Sequence, residues 1–228
     1  MAVLLLLVAL TGCGGDDSSS DTPSTSPPAT RPQAEVDKER AARTLLTAAD
    51  LPGYTEDTSP DTNQGFEAAF AGCVNNDPVL TAKAPAHPRT VEGKDFEKGD
   101  LQVGSEATVA ETEDQAKAAL NQLRSRTVTD CIGRAARTEL AKQLDPSITI
   151  ISLNLTPLPV ARAGDEAVGL RFVATVSAEG ETGRGTSDLT IIRRERAVAR
   201  LNTGATDATF PESERASLAT KMADRMAP

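Results

Sequence analysis

The sequence predicts an α+β fold in which helices pack on an antiparallel sheet of about five to six strands. Four strand patterns follow one another between residues 148 and 203 with short turns between them, which favours antiparallel pairing. Two helical patterns precede them between residues 112 and 144, and another closes the chain after Pro211. Because helices and strands are segregated along the chain instead of alternating, the α+β class is expected.

The N-terminus begins with an apolar stretch, Val3 to Leu10, that is shorter than the roughly 20 residues a membrane-spanning helix needs. It leads into Leu10-Thr11-Gly12-Cys13, which resembles the bacterial lipoprotein box. This resemblance implies that residues 1–12 are a signal peptide and that Cys13 carries a diacylglycerol on the outer face of the cell membrane. No Lys or Arg precedes the apolar stretch, so the true start codon, a plain secretory peptide and a cytosolic chain all stay open.

Residues 13–35 consist mainly of Ser, Thr, Pro, Asp and Gly and offer little to bury. Such a composition cannot offset the entropy cost of ordering, so we expect a disordered, lipid-anchored tether. Residues 36–228 are then one extracytoplasmic domain, a length that suffices for a hydrophobic core.

The domain begins with a predicted helix from Val36 to Ala49, which Leu51-Pro52-Gly53 ends. The stretch from Thr55 to Pro88 has a weaker pattern and reads as a short helix or irregular loop. Two strands, Thr90 to Glu97 and Leu101 to Glu111, predict a hairpin around residues 98–100.

Two helices are predicted next. The first starts at Thr112, whose spacing to Gln115 is that of a capping box. The second runs from Asp130 to Leu144, and Pro146 forbids its continuation. The four late strands are Ile148 to Leu155, Glu166 to Ala178, Thr186 to Arg193 and Ala197 to Thr203. Pro211 then opens the terminal helix.

The strand from Glu166 to Ala178 alternates most strictly, and its apolar side holds the candidate ligand-facing residues Val168, Leu170, Phe172 and Val176. If the domain is a binder, these residues should line an aliphatic cavity or groove beneath a covering helix. If it is not, the same residues form a closed core.

The chain has three cysteines, one near the N-terminus and two in the predicted domain. With Cys13 acylated, Cys73 and Cys131 remain, and outside the cytoplasm we predict that they form a disulfide. Two buried free thiols are the alternative. A zinc site would lack ligands, since His87 is the sole histidine.

Composition limits the partners. The net charge of -9 argues against nucleic acid, which needs clustered basic residues. Aromatic residues make up 3 % of the chain, with Tyr54 as the sole tyrosine and no tryptophan, so a pocket must be aliphatic and suited to a lipid-like molecule. We found no nucleophile-elbow, phosphate-loop or dinucleotide motif, and expect no cofactor and no metal.

The remaining charged residues fit ordinary surface roles. His87 lies in a proline-bounded loop and is expected to be exposed. Acidic pairs flank the strand from Glu166 to Ala178, so a hydrolase with a dispersed carboxylate site stays an alternative. A basic cluster could grip a phosphate or an acidic partner, but a solvated hairpin tip is favoured. The acidic residues are Asp165, Glu166, Glu179 and Glu181, and the basic ones are Arg193, Arg194, Arg196 and Arg200.

Three features together resemble a known group. They are the segment Leu45 to Tyr54, the paired cysteines, and the late hairpin Leu189–Arg193 to Ala197–Leu201 with its terminal helix. They are similar to actinobacterial cell-envelope lipoproteins related to the extracellular sensor domain of membrane Ser/Thr kinases. Such kinase domains often have two disulfides, and this chain has cysteines for one.

The resemblance implies a non-enzymatic, sensor-like domain without catalytic residues. Its partner would be the membrane, through the lipid anchor, and a lipid-like small molecule or an envelope protein. Besides the hydrolase, a structural accessory of a membrane complex remains an alternative.

Overall fold

An eight-stranded antiparallel sheet organises the part of the chain that our computed structural model describes, residues 31–58, 64–81 and 87–228. Residues 31–228 form one compact unit with five helices in its described part, which confirms the α+β class. In chain order the elements are α1 (Gln33–Thr44), β1 (Thr55–Asp57), α2 (Gln64–Cys73), β2 (Thr90–Glu92), β3 (Asp95–Lys98), β4 (Leu101–Val109), α3 (Glu113–Leu123), α4 (Arg126–Gln143), β5 (Ile148–Leu158), β6 (Glu166–Ala178), β7 (Glu181–Arg194), β8 (Ala197–Thr206) and α5 (Glu212–Arg225).

The strands lie in the order β1-β3-β4-β8-β7-β6-β5, and β2 pairs with β4 beside β3. The sheet has more strands than predicted because β1 has no clear sequence pattern and because the predicted strand from Thr90 to Glu97 is divided into β2 and β3. The break lies at Gly93, whose N–H donates to the Ser105 carbonyl at 2.8 Å. A Cβ at Gly93 would lie 2.8 Å from that same oxygen, so the backbones can approach only at a glycine.

Helices cover both faces of the sheet, and β8 shows this by its alternation. Ala197, Ala199 and Leu201 belong to one buried cluster, whereas Val198 belongs to another. The first cluster, which we call core 1, includes residues of α1 and α5. The second, core 2, includes residues of α2, α3 and α4. The molecule is therefore a three-layer sandwich of helices, sheet and helices.

The first helix is shorter than predicted. α1 ends at Thr44, the backbone of Leu45 is extended, and a short 3₁₀ turn then spans Ala48–Asp50. The side chain of Asp50 accepts a hydrogen bond from the Thr47 N–H at 2.9 Å, so a capping box starts a new turn where the periodicity predicts an unbroken helix.

The later elements agree more closely with the prediction. β6 has the predicted bounds, and α3 begins with the predicted capping box between Thr112 and Gln115. α4 begins at Arg126, a turn earlier than predicted. Among the described helices, none combines the length and the apolar character that a bilayer crossing requires.

Candidate functional site

The disulfide between Cys73 and Cys131 is confirmed: it joins the end of α2 to α4 across 58 residues. Both cysteines are half-buried beside core 2. In the chain-entropy model such a loop contributes about 4 kcal/mol of stability. The bridge therefore anchors the helical layer that covers β5 and β6. The predicted lipidation site, Cys13, lies outside the described residues.

The predicted ligand-facing residues of β6 divide into two halves. Val168 and Leu170 are buried in core 2, with 9 % and 2 % of their surface exposed, in a cluster that also holds residues of α3 and α4. Phe172 lies at the margin of that core, and Val176 is half-buried beyond it. The half that holds Val168 and Leu170 is therefore closed core, and only the half from Phe172 to Val176 is accessible to a ligand.

The half from Phe172 to Val176 forms an apolar surface together with its neighbours on β5 and β7, and we call this surface the open face. The strand register places Ile150 of β5 and Gly183 of β7 on either side of Val176, on the side of the sheet where Gly133 of α4 lies next to Leu155. Gly185 lies next to Gly183 on this face, and a Cβ built there would meet no atom within 4 Å. The open face consists of Ile148, Ile150 and Leu153 of β5, Phe172, Ala174 and Val176 of β6, and Gly183 and Gly185 of β7.

The basic cluster is not the solvated hairpin tip that we favoured from the sequence. The Arg193 side chain is 7 % exposed and pairs with Asp165 at 3.3 Å and Glu166 at 3.2 Å. The Arg200 guanidinium pairs with Glu106 at 3.3 Å and lies over the Phe70 ring. These arginines are used inside the molecule, where they fasten the β7–β8 hairpin to its neighbours.

Arg196 completes this pattern through Asp37 of α1, which is 1 % exposed. Arg196 Nη2 donates to Asp37 Oδ1 at 2.7 Å, and Arg89 Nε lies 3.3 Å from Asp37 Oδ2. Burial alone would raise the pKa of Asp37, but the hydrogen bonds from Arg196 and Gln33 and the nearby arginine charges outweigh it and lower that pKa. The carboxylate is held ionised as a structural link.

A second buried ion cluster lies beneath α5. Asp188 of β7 has no exposed side-chain surface and accepts two hydrogen bonds from Arg171 of β6 and one from Arg215 of α5, each at 2.6 Å. Beside it, the buried hydroxyl groups of Thr186, Thr190 and Thr203 make no hydrogen bond with the described residues. The adjoining cavity of about 20 Å³ is large enough for about one water molecule. This cluster joins α5 to the sheet and leaves no room for an organic ligand.

His87 lies at a cleft that the sequence did not predict. Its Nδ1 lies 3.1 Å from Thr90 Oγ1, which lies 2.8 Å from Thr108 Oγ1 on the neighbouring strand. The cleft measures about 170 Å³, below the usual size of ligand pockets. Its lining is formed by Pro78, Val79, His87, Thr108, Val109, Ala110, Glu111 and Gln115. No serine or cysteine stands among these residues, and His87 is half-buried instead of exposed. Only the pairing of β2 with β4 brings Thr90 opposite Thr108, so local sequence carried no signal for it.

The four acidic candidates lie in ion pairs or beside a turn. Asp165 and Glu166, two of the carboxylates a dispersed hydrolytic site would use, pair with Arg193. Glu179 and Glu181 flank the exposed turn between β6 and β7. Within residues 31–58, 64–81 and 87–228, no group of three or more His, Cys, Asp or Glu side chains could hold a metal ion.

Comparison with known proteins gives little. No protein-family model matches the sequence, and no curated protein matches it either. Among solved structures, the extracellular domain of PknH from Mycobacterium tuberculosis aligns with a TM-score of 0.41 and 14 % sequence identity, over 83 % of this chain and 95 % of that one. At this distance the likeness establishes neither a family nor a shared function.

Proposed function

We propose that this protein is a lipid-anchored, extracytoplasmic binding protein. Residues 1–12 would be removed on export, Cys13 would carry the lipid, and residues 36–228 would form a non-enzymatic domain at the outer face of the cell membrane. The domain would bind a lipid-like molecule or an envelope protein through the open face.

The observation that carries this proposal is the disulfide between Cys73 and Cys131. Disulfides persist outside the cytoplasm and are rare inside it, where thiols are kept reduced. The bridge therefore supports export, and Leu10-Thr11-Gly12-Cys13 supplies the matching export and anchoring signal. With Cys13 acylated, the remaining two cysteines are both used.

The binding role rests on the open face. It is apolar, it is continuous with core 2 through Phe172, and Gly183 and Gly185 of β7 add no side chain beside it. An apolar surface of this kind suits an acyl chain or a protein side chain and offers no polar side chains for catalysis.

The anchor is tested with Cys13→Ala in cells fed an alkyne analogue of palmitate. The unmodified protein should incorporate the label and fractionate with membranes, whereas the variant should lose the label and appear in the medium or remain unprocessed. A variant that stays processed and membrane-bound contradicts the lipoprotein assignment.

The binding role is tested with Val176→Asp, which places a charge on the open face. Mass spectrometry of the purified native protein should detect a co-purifying lipid-like molecule, or cross-linking should detect an envelope protein, and Val176→Asp should reduce either. Thr182→Asp adds the same charge to the opposite side of β7 and is the matched control. Equal recovery from both variants contradicts binding at this face.

A further inference from the structure

Strand β5 ends the sheet, and among residues 31–58, 64–81 and 87–228 no strand lies beside the backbone groups on its outer side. Natural edge strands are usually short, charged or covered, because an unpaired edge is a template for another chain. At the other end of the sheet, β1 has three residues, two of them acidic. β5 has eleven residues and contains no Asp, Glu, Lys or Arg. Of the usual protections against strand pairing, β5 therefore lacks shortness and charge, and it retains a bulge at Ile151 and a proline at Pro157.

The middle of this edge exposes a large apolar side chain. Ile151 is 54 % exposed, and only one other large hydrophobic residue in the described part of the chain, Val36 at 37 %, is comparably exposed. Ile151 is the extra residue of a bulge between the pairs Ile150–Val176 and Ser152–Thr175. The proline of the strand, Pro157, lies beyond residues 148–155, so every residue in that segment keeps its N–H.

The side-chain pattern of residues 148–155 is self-complementary. When the segment is laid antiparallel against itself with a two-fold axis between Ile151 and Ser152, three of the four residue pairs join like side chains, and the central pair is Ile151 with Ser152. The like pairs are Ile148 with Leu155, Thr149 with Asn154, and Ile150 with Leu153. Both apolar pairs lie on the face that α4 covers, and the Thr149–Asn154 pair lies on the other face. A slip of one residue would oppose apolar to polar side chains.

Charge does not oppose this pairing. The chain as a whole carries a net charge of -9, which would repel a second copy at most surfaces. The segment from Ser125 to Leu158, which includes α4 and β5, contains four basic and three acidic residues. The β5 edge is thus a nearly neutral surface on an acidic molecule.

From these observations we propose that β5 is a homodimerisation edge. Two copies pair antiparallel through residues 148–155 about a two-fold axis, which joins their sheets into one continuous sheet. The occupant of the edge is a second copy of this chain, since the register that satisfies both faces is supplied by the segment itself.

The test uses the full chain carrying Cys13→Ala, so that neither lipid nor the Cys13 thiol contributes. Sedimentation velocity from about 1 to about 500 µM should show a reversible monomer–dimer equilibrium. Ile151→Lys places two like charges beside the two-fold axis and should weaken dimerisation about tenfold or more. Val36→Lys makes the same change at the other exposed apolar residue and should leave dimerisation unchanged.

The register is tested by disulfide trapping. Thr149→Cys combined with Asn154→Cys should form a covalent dimer under mild oxidation, because both residues are exposed and are paired across the axis. Thr149→Cys combined with Thr156→Cys is out of register and should not. If Ile151→Lys fails to fold, Thr149→Lys gives a second charged variant at an exposed position. A chain that stays monomeric, a dimer that tolerates both lysine variants, or equal trapping of both cysteine pairs overturns the proposal.

Discussion

The carboxylate of Asp50 accepts two hydrogen bonds from the guanidinium of Arg225, at 2.8 Å from Nη1 and 2.7 Å from Nη2. The two residues are 175 positions apart. Asp50 also caps the short turn that follows α1 through Thr47. One carboxylate therefore shapes the turn after the first helix and holds the last helix of the chain against it.

Replacing Asp50 with Asn should destabilise the fold by about 2 kcal/mol, since it removes a charge-assisted bidentate pair whose acidic member is mostly buried. Urea denaturation at neutral pH measures the loss. Asp224→Asn, at an exposed position one residue before Arg225, is the matched control and should change stability by no more than about 0.5 kcal/mol. A similar loss in both variants would show that the Asp50–Arg225 pair is not the cause.

Stability should fall in acid. The hydrogen bonds from Arg225 and from Thr47 outweigh burial and lower the pKa of Asp50 from 3.8 to about 2. A carboxyl whose pKa is lowered by folding stabilises the fold above its unfolded pKa, and this contribution is lost as the pH falls through the folded pKa. Unfolding free energies between pH 6 and pH 2 should therefore decline below about pH 4, and the decline should be smaller in Asp50→Asn. An identical slope in that variant would contradict the assignment.

The pKa of Tyr54 should lie above that of a free tyrosine. Burial, together with the charge of the nearby Glu214, raises its pKa from 10.0 to about 12. Because Tyr54 is the sole tyrosine and the chain has no tryptophan, absorbance at about 295 nm reports this one group directly. A tyrosine whose pKa is raised by folding stabilises the fold below pH 10, and this contribution disappears as the pH rises through the folded value.

The measured midpoint for Tyr54 should lie well above that of the chain in denaturant. Glu214→Gln should lower the midpoint only in part, since burial remains the largest cause. A native midpoint equal to the denatured one would place Tyr54 at the surface.

The two halves of the β6 apolar side should respond differently to truncation. Leu170→Ala removes a side chain that is 2 % exposed in core 2 and should cost about 2–5 kcal/mol. Val176→Ala changes a half-buried side chain on the open face and should cost less than about 1 kcal/mol. Thermal or urea unfolding of both variants checks this, and equal costs would mean that the open face is closed in solution.

Local periodicity was enough to predict the class and several elements. The strict two-residue alternation of Glu166–Ala178 gave β6 its bounds, because a strand that packs on one side records its burial in its own sequence. The capping box at Thr112 likewise predicted the start of α3, since both partners lie within one turn. The disulfide followed from counting cysteines once Cys13 was assigned to the lipid.

Only the tertiary structure decided the partners that lie far apart in the chain. The sequence showed Arg193 and Arg196 as a basic cluster, but not that Asp165 and Asp37 would reach them. Alternation showed that β6 has an apolar side, but not that Val168 and Leu170 would be buried in core 2 while Val176 stays half-buried outside it. Sequence by itself thus determined most of the segments that form strands and helices, since backbone periodicity is local. Which faces and charges meet was decided by packing, because register and layer order depend on contacts between distant segments.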